Sequence, residues 1–212
     1  MYSATTNSAN SVVSAHRMKP SSPSSRSPRV PPEQAKQRLI EATIELLRTT
    51  DPYNVTVRDV ASTAGLNLVH ITRYFGSRAE LLFAVTEELH RRLVTRARTE
   101  VLDEPLRVFG FEEIPMRLGL MMALRSEGFD MTRFRASEQE IFAEFAGFLV
   151  RTRQLDLEVA EIQAFKVLLL LQALNLMGDA HGMPADKIAK MVVLARNEMD
   201  HADESARRLG WL

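Results

Sequence analysis

From residue 32 onward the apolar residues of this chain recur at intervals of three and four, and no strand-like alternation competes with that pattern. Leu39, Ile40, Thr43, Ile44, Leu46 and Leu47 form one stripe, with Glu41, Glu45 and Arg48 off it. A helix is predicted to open at Pro32, where a missing N–H costs nothing, and to stop near Thr50, because Asp51-Pro52 is a turn pair. Thr56 then offers a hydroxyl cap, with Asp59 three residues later completing a capping-box-like start for a helix whose Val57, Val60 and Ala61 face inward. Gly65 supplies a stop and Asn67 a second cap, and Ile71, Tyr74 and Phe75 give the next short helix its buried side. Two short helices joined by a glycine-containing turn make a helix-turn-helix.

Gly76 closes the second of these helices, and Ser77-Arg78-Ala79-Glu80 is a capping box that opens a longer one. Leu81, Leu82, Val85, Leu89 and Leu93 carry that helix to about Arg98. Beyond a connector holding Pro105 and Gly110, apolar blocks resume at 114–124, 134–150, 155–177 and 188–209. Gly178, Gly182 and Pro184 separate the last two, which are expected to pack as an antiparallel hairpin. The fold class is therefore all-α. Its expected divisions are an arm at 1–30, a helix-turn-helix domain at 31–78, a linking helix at 79–98 and a helical body at 99–212.

Composition narrows the function. Cysteine is absent from the 212 residues, which removes disulfide frameworks, thiolate metal sites and thiol nucleophiles and fits a reducing cytoplasm. The first thirty residues lack the unbroken apolar core of a secretory leader. The longest apolar run, at 167–171, is far short of the ~20 residues that span a bilayer. Net charge is zero, yet residues 1–98 hold 14 Lys and Arg against 8 Asp and Glu, while 99–212 hold 13 against 19. A cationic front suits a polyanion, and chance clustering of solvated side chains is the plainer alternative. Arg17, Lys19, Arg26 and Arg29 make the arm itself basic, either to lie along a phosphate backbone or as a solvated tail.

The ordered set T-V-x-x-V-A, A-G-L-N and R-Y-F-G-S-R-A-E-L-L, behind a long first helix, resembles the DNA-binding domain of the tetracycline-repressor (TetR) family over residues 33–89. The resemblance implies a homodimer on a two-fold double-stranded DNA operator. It also implies a divergent helical C-terminal domain that binds a small effector, with repression as the default action. By the same resemblance Thr56, Tyr74 and Arg78 fall on phosphate-contacting positions, and Arg58 on one that reaches bases or backbone. The chain departs from the family at Thr72, where an aromatic is usual, and neighbouring Arg73 is placed to take over that contact.

The residues support the same interface on their own chemistry. A recognition helix needs one apolar side for docking and another facing the major groove. Asn67, His70, Thr72 and Arg73 are polar groups for base edges or phosphates. Leu68 and Val69 are apolar where solvent would favour polarity, and either contact thymine methyls or pack on the first helix.

The segment 167–177 is apolar nearly all round, which predicts burial on two sides, one of them against a second subunit together with Ile188, Met191, Val192, Leu194 and Ala195. Phe109, Met116, Leu120, Met121, Phe134, Phe142, Phe145 and Phe165 can line a pocket for a small hydrophobic effector, and ordinary core is the alternative. Gln163, Gln172 and Asn175 need partners inside an apolar helix, supplied by an effector or by the second subunit. No enzyme is expected. His16, His70, His90, His181 and His201 lack metal-ligand spacing, and phosphate loops, nucleophile elbows and dinucleotide fingerprints are missing, so neither metal nor cofactor is expected. The alternatives kept open are a regulator that binds DNA without an effector and a helical protein-interaction module.

Overall fold

Each start and stop of the N-terminal helices has a local cause. In the computed structural model, which describes residues 30–99, 111–182 and 184–212, α1 (Pro32–Leu47) begins directly after Pro31, whose carbonyl accepts from the Ala35 amide at 2.9 Å. Asp51 Oδ1 accepts from the Tyr53 amide at 2.9 Å and turns the chain out of α1. Then come α2 (Val57–Thr63), α3 (Val69–Phe75) and the long α4 (Arg78–Thr99), on which Ser77 Oγ caps the Glu80 amide at 3.1 Å. Residues 1–29, Pro105, Phe109, Gly110 and the side chain of Asn175 lie outside the described residues.

The second half continues with α5 (Glu113–Ser126), a 3-10 turn (Met131–Phe134), α6 (Arg135–Arg153), α7 (Leu157–His181), α8 (Ala185–Asp200) and α9 (Ala202–Arg208). Among the described residues all regular structure is helical, as the apolar period predicts. None of these helices is long and apolar enough to cross a membrane. Gly178 lies inside α7, and the chain turns at Gly182 (φ +57°), where a left-handed residue is needed. Lys166 on α7 pairs with Glu198 on α8, sixteen residues either side of Gly182, so the two helices run antiparallel. The block expected at 188–209 breaks at His201, where φ −113° and ψ 13° leave helical geometry. The break lays Ala202 and Ala206 of α9 into the same buried cluster as Val159 and Ala160 of α7, and the Asp203 carboxylate accepts from the Asp156 amide at 3.2 Å.

Residues 31–212 form one unit. One core joins Leu39 and Ile44 of α1, Val60 of α2, Ile71 of α3 and Leu82 and Leu89 of α4 to Leu120 and Leu124 of α5 and to Phe134. The helix-turn-helix thus rests on the C-terminal half of α5 as well as on α1 and α4. A Cβ on Gly119 of α5 would lie 2.9 Å from Pro52 Cγ, so only glycine admits this approach of α5 to the loop after α1. Arg133 adds a second tie. Its guanidinium lies 4.2 Å and 4.7 Å from the ring centres of Phe83 and Phe129, and its two terminal nitrogens donate to the two Glu80 oxygens at 2.6 and 3.0 Å.

The hydrogen bonds from Arg133 hold the Glu80 carboxyl below its ordinary value of 4.5, outweighing partial desolvation, which acts the other way. A depressed carboxylate contributes stability that is complete above 4.5 and is lost as pH falls through its folded value. Urea unfolding over an acid series is expected to show a falling midpoint in this window, and Glu80→Gln is expected to flatten that part of the profile while leaving the neutral-pH slope m unchanged.

Candidate nucleic-acid interface

α2 and α3 are too short to persist alone, so caps and tertiary docking must hold them. Thr56 Oγ1 accepts from the Asp59 amide at 3.2 Å and donates to Asp59 Oδ2 at 2.6 Å, a capping arrangement worth about 1 kcal/mol. Gly65 (φ +63°) ends the turn after α2, and Asn67 Oδ1 accepts from the Val69 amide at 2.9 Å, pinning the first turn of α3. Ile71, 2% exposed, docks α3 into the core, and Val57, Tyr74 and Phe75 pack half-buried around it. Gly76 (φ +83°) returns its amide to the Thr72 carbonyl at 3.0 Å, and α4 follows.

The opposite side of α3 stays open. Asn67, Leu68, Val69, Thr72 and Arg73 are exposed there, and Thr56 and Arg58 are exposed at the start of α2. Leu68 and Val69 remain 40% and 60% exposed and belong to neither the core nor its half-buried margin, which removes packing on α1 as the reason for their apolar character. Among the described residues, Arg58 and Thr72 make no side-chain hydrogen bond or ion pair, and Arg73 reaches only the Tyr74 ring, 5.8 Å from its centre. His70 is half-buried, stacked on Tyr74 with ring centres 5.5 Å apart, and its Nδ1 is buried with no hydrogen-bond partner in the chain.

Arg78 is placed differently from the other candidates. Its Nε donates to the Val55 carbonyl at 2.8 Å, Nη2 donates to the Pro52 carbonyl at 2.8 Å, and Nη1 pairs with Glu127 at the end of α5. Every nitrogen of the fork is engaged inside the chain, holding the loop before α2. Its partners lie 23, 26 and 49 residues away, which local sequence patterns do not reveal. Tyr53 in that loop is exposed, and the periodicity does not single it out.

The candidate pocket residues do not gather around one space. Leu120 and Phe134 are fully buried in the core that supports α3, with Met116 and Met121 half-buried against it. Phe145 packs against the α6, α7 and α9 core and stacks on Phe148, with ring centres 6.3 Å apart. Phe142 meets an exposed Phe165 edge-on at 5.6 Å. Gln163 is half-buried and its Oε1 has no partner in the chain. Among the described residues no three His, Asp or Glu side chains converge as a metal site would require.

Residues 39–85, which hold α2, α3 and the core residues beneath them, match the family described as bacterial regulatory proteins, tetR family. No curated protein matches the chain. Among solved structures, the crystal structure of a TetR-like transcriptional regulator from Rhodococcus sp. RHA1 is similar to it at 15% identity and a TM-score of 0.45, over 85% of this chain and 99% of that one. The segment that builds the helix-turn-helix is thus similar to the tetR family of bacterial regulatory proteins.

Proposed function

We propose that the chain is a sequence-specific, DNA-binding transcriptional regulator that acts as a cytoplasmic homodimer and represses until a small apolar molecule releases it. The observation that carries the reading is the open outer side of α3, held on a helix whose other side is fixed by Ile71 and whose first turn is pinned by Asn67. Phosphate contacts set register and base contacts set sequence. Arg58, Arg73 and Thr56 are exposed for the first task, and Asn67, Leu68, Val69 and Thr72 are exposed for the second, with His70 half-buried behind them.

A second copy is supported by the spacing of successive grooves and by surface chemistry. Two recognition helices meet successive major grooves about 34 Å apart only when a dimer sets their separation. Ile162, Phe165 and Leu169 form an exposed apolar stripe along α7, and Val193 and Leu194 are exposed on α8. An exposed apolar patch of this kind marks an interaction surface. Release by an apolar molecule is supported by half-buried Met116 and Met121 of α5, packed on the same core as Phe134, since Glu127 after α5 and Arg133 beside Phe134 grip the first turn of α4.

Selection from a random duplex pool is expected to return a two-fold motif. Fluorescence anisotropy on that duplex over a salt series then separates the arginines: Arg73→Ala is expected to lower the salt slope by about one unit. Arg78→Ala is expected to lower the unfolding midpoint through its lost carbonyl contacts, and an unchanged salt slope for this variant would leave it as a support of the loop alone. Leu169→Glu with Val193→Glu is expected to shift the protein to a monomer in sedimentation velocity and to reduce operator affinity at least ten-fold with helicity retained. Titration of apolar small molecules against the preformed complex is expected to release the DNA, and release by none of a broad set would leave a constitutive binder.

A further inference from the structure

We infer that the leading end of α3 reads thymine through its 5-methyl group, with Leu68 and Val69 as the specificity-determining residues; this rests on the DNA-binding reading above. Residues at the N-terminal end of a recognition helix are the ones that meet base edges. Here the side-chain oxygen of Asn67 is committed to the Val69 amide at 2.9 Å, so that residue keeps only its amide donors. The next two side chains, Leu68 and Val69, can neither donate nor accept a hydrogen bond. They are nonetheless exposed side by side, outside the core that takes Ile71 and the margin that takes Leu66, Tyr74 and Phe75.

Of the groups on the major-groove edges of the four base pairs, the thymine methyl is the one apolar substituent that projects into the groove. A two-residue apolar tip with exposed Thr72 and Arg73 one helical turn behind it fits a thymine-bearing groove with phosphates at its edge. A protein partner is the poorer match, because the flanking groups are cationic or hydroxyl-bearing and the apolar area is limited to two side chains. Successive helical residues diverge by about 100°, so the two side chains address neighbouring base pairs of one half-site. His70 is turned inward onto Tyr74 with Nδ1 buried, which leaves the apolar pair as the foremost surface of the helix tip.

The test replaces each thymine of the selected operator in turn by deoxyuridine, which deletes only the methyl, and measures affinity for wild type, Val69→Ala and the double variant Leu68→Ala, Val69→Ala. Both positions are exposed, and matching thermal midpoints verify that the variants fold. The expected result is a loss of about four-fold at one or two thymines per half-site for wild type, the value of one buried methyl-sized group. The double variant is expected to bind the two duplexes equally. Equal wild-type affinity for thymine and uracil at every position overturns the inference, as does an equal loss in wild type and double variant, which would place the methyl contact on another residue. A pool that returns no motif for wild type instead defeats the DNA-binding reading itself.

Discussion

The docking of α3 through Ile71 is the constraint on which the molecule depends. A seven-residue helix has too few internal hydrogen bonds to offset its nucleation cost, so it exists only while tertiary contacts hold it. The sites that hold it are one fully buried side chain, an asparagine cap at its start and a left-handed glycine at its end. The core that receives Ile71 is built from α1, α2 and α4 and is completed by Leu120 and Leu124 of α5 and by Phe134. The presentation of the outer surface of α3 is therefore a property of the packing of five helices.

Charge organisation follows the same plan. Arginines that stabilise the fold are turned inward or laid across neighbouring helices: Arg78 onto the loop carbonyls, Arg133 between Phe83 and Phe129, and Arg92 onto Glu41 and Glu88. Arg58 and Arg73 are left at the surface around α2 and α3. The formal charge of the N-terminal half is thus a poor guide to the field at α3 until each cation is assigned a partner. Exposed ion pairs are individually weak, but a guanidinium that satisfies buried carbonyls is costly to remove.

The local features of the sequence were legible because their causes are local. Thr56 with Asp59, Ser77 with Glu80, and the stops at Gly65 and Gly76 lie where the chain places them, since caps and left-handed turns involve residues a few positions apart. What could not be read comes from long separations or from shared periods. The partners of Arg78 lie in the loop after α1 and at the end of α5, distances no window spans. Leu68 and Val69 carry the same apolar signature whether they pack or stay open, and only burial decides. The aromatic and methionine residues of α5 and α6 share one helical period but divide between separate cores, so periodicity grouped residues that the fold separates. The break at His201 has no proline or glycine to announce it.

The contact of Gly119 with Pro52 joins α5 to the loop ahead of α2 with no side chain between them. With no Cβ to act as a spacer, α5 bears directly on the proline ring of the loop whose carbonyls are clasped by Arg78. A side chain at position 119 would have to part α5 from that loop, so the loop ahead of α2 keeps its place only while the position stays glycine.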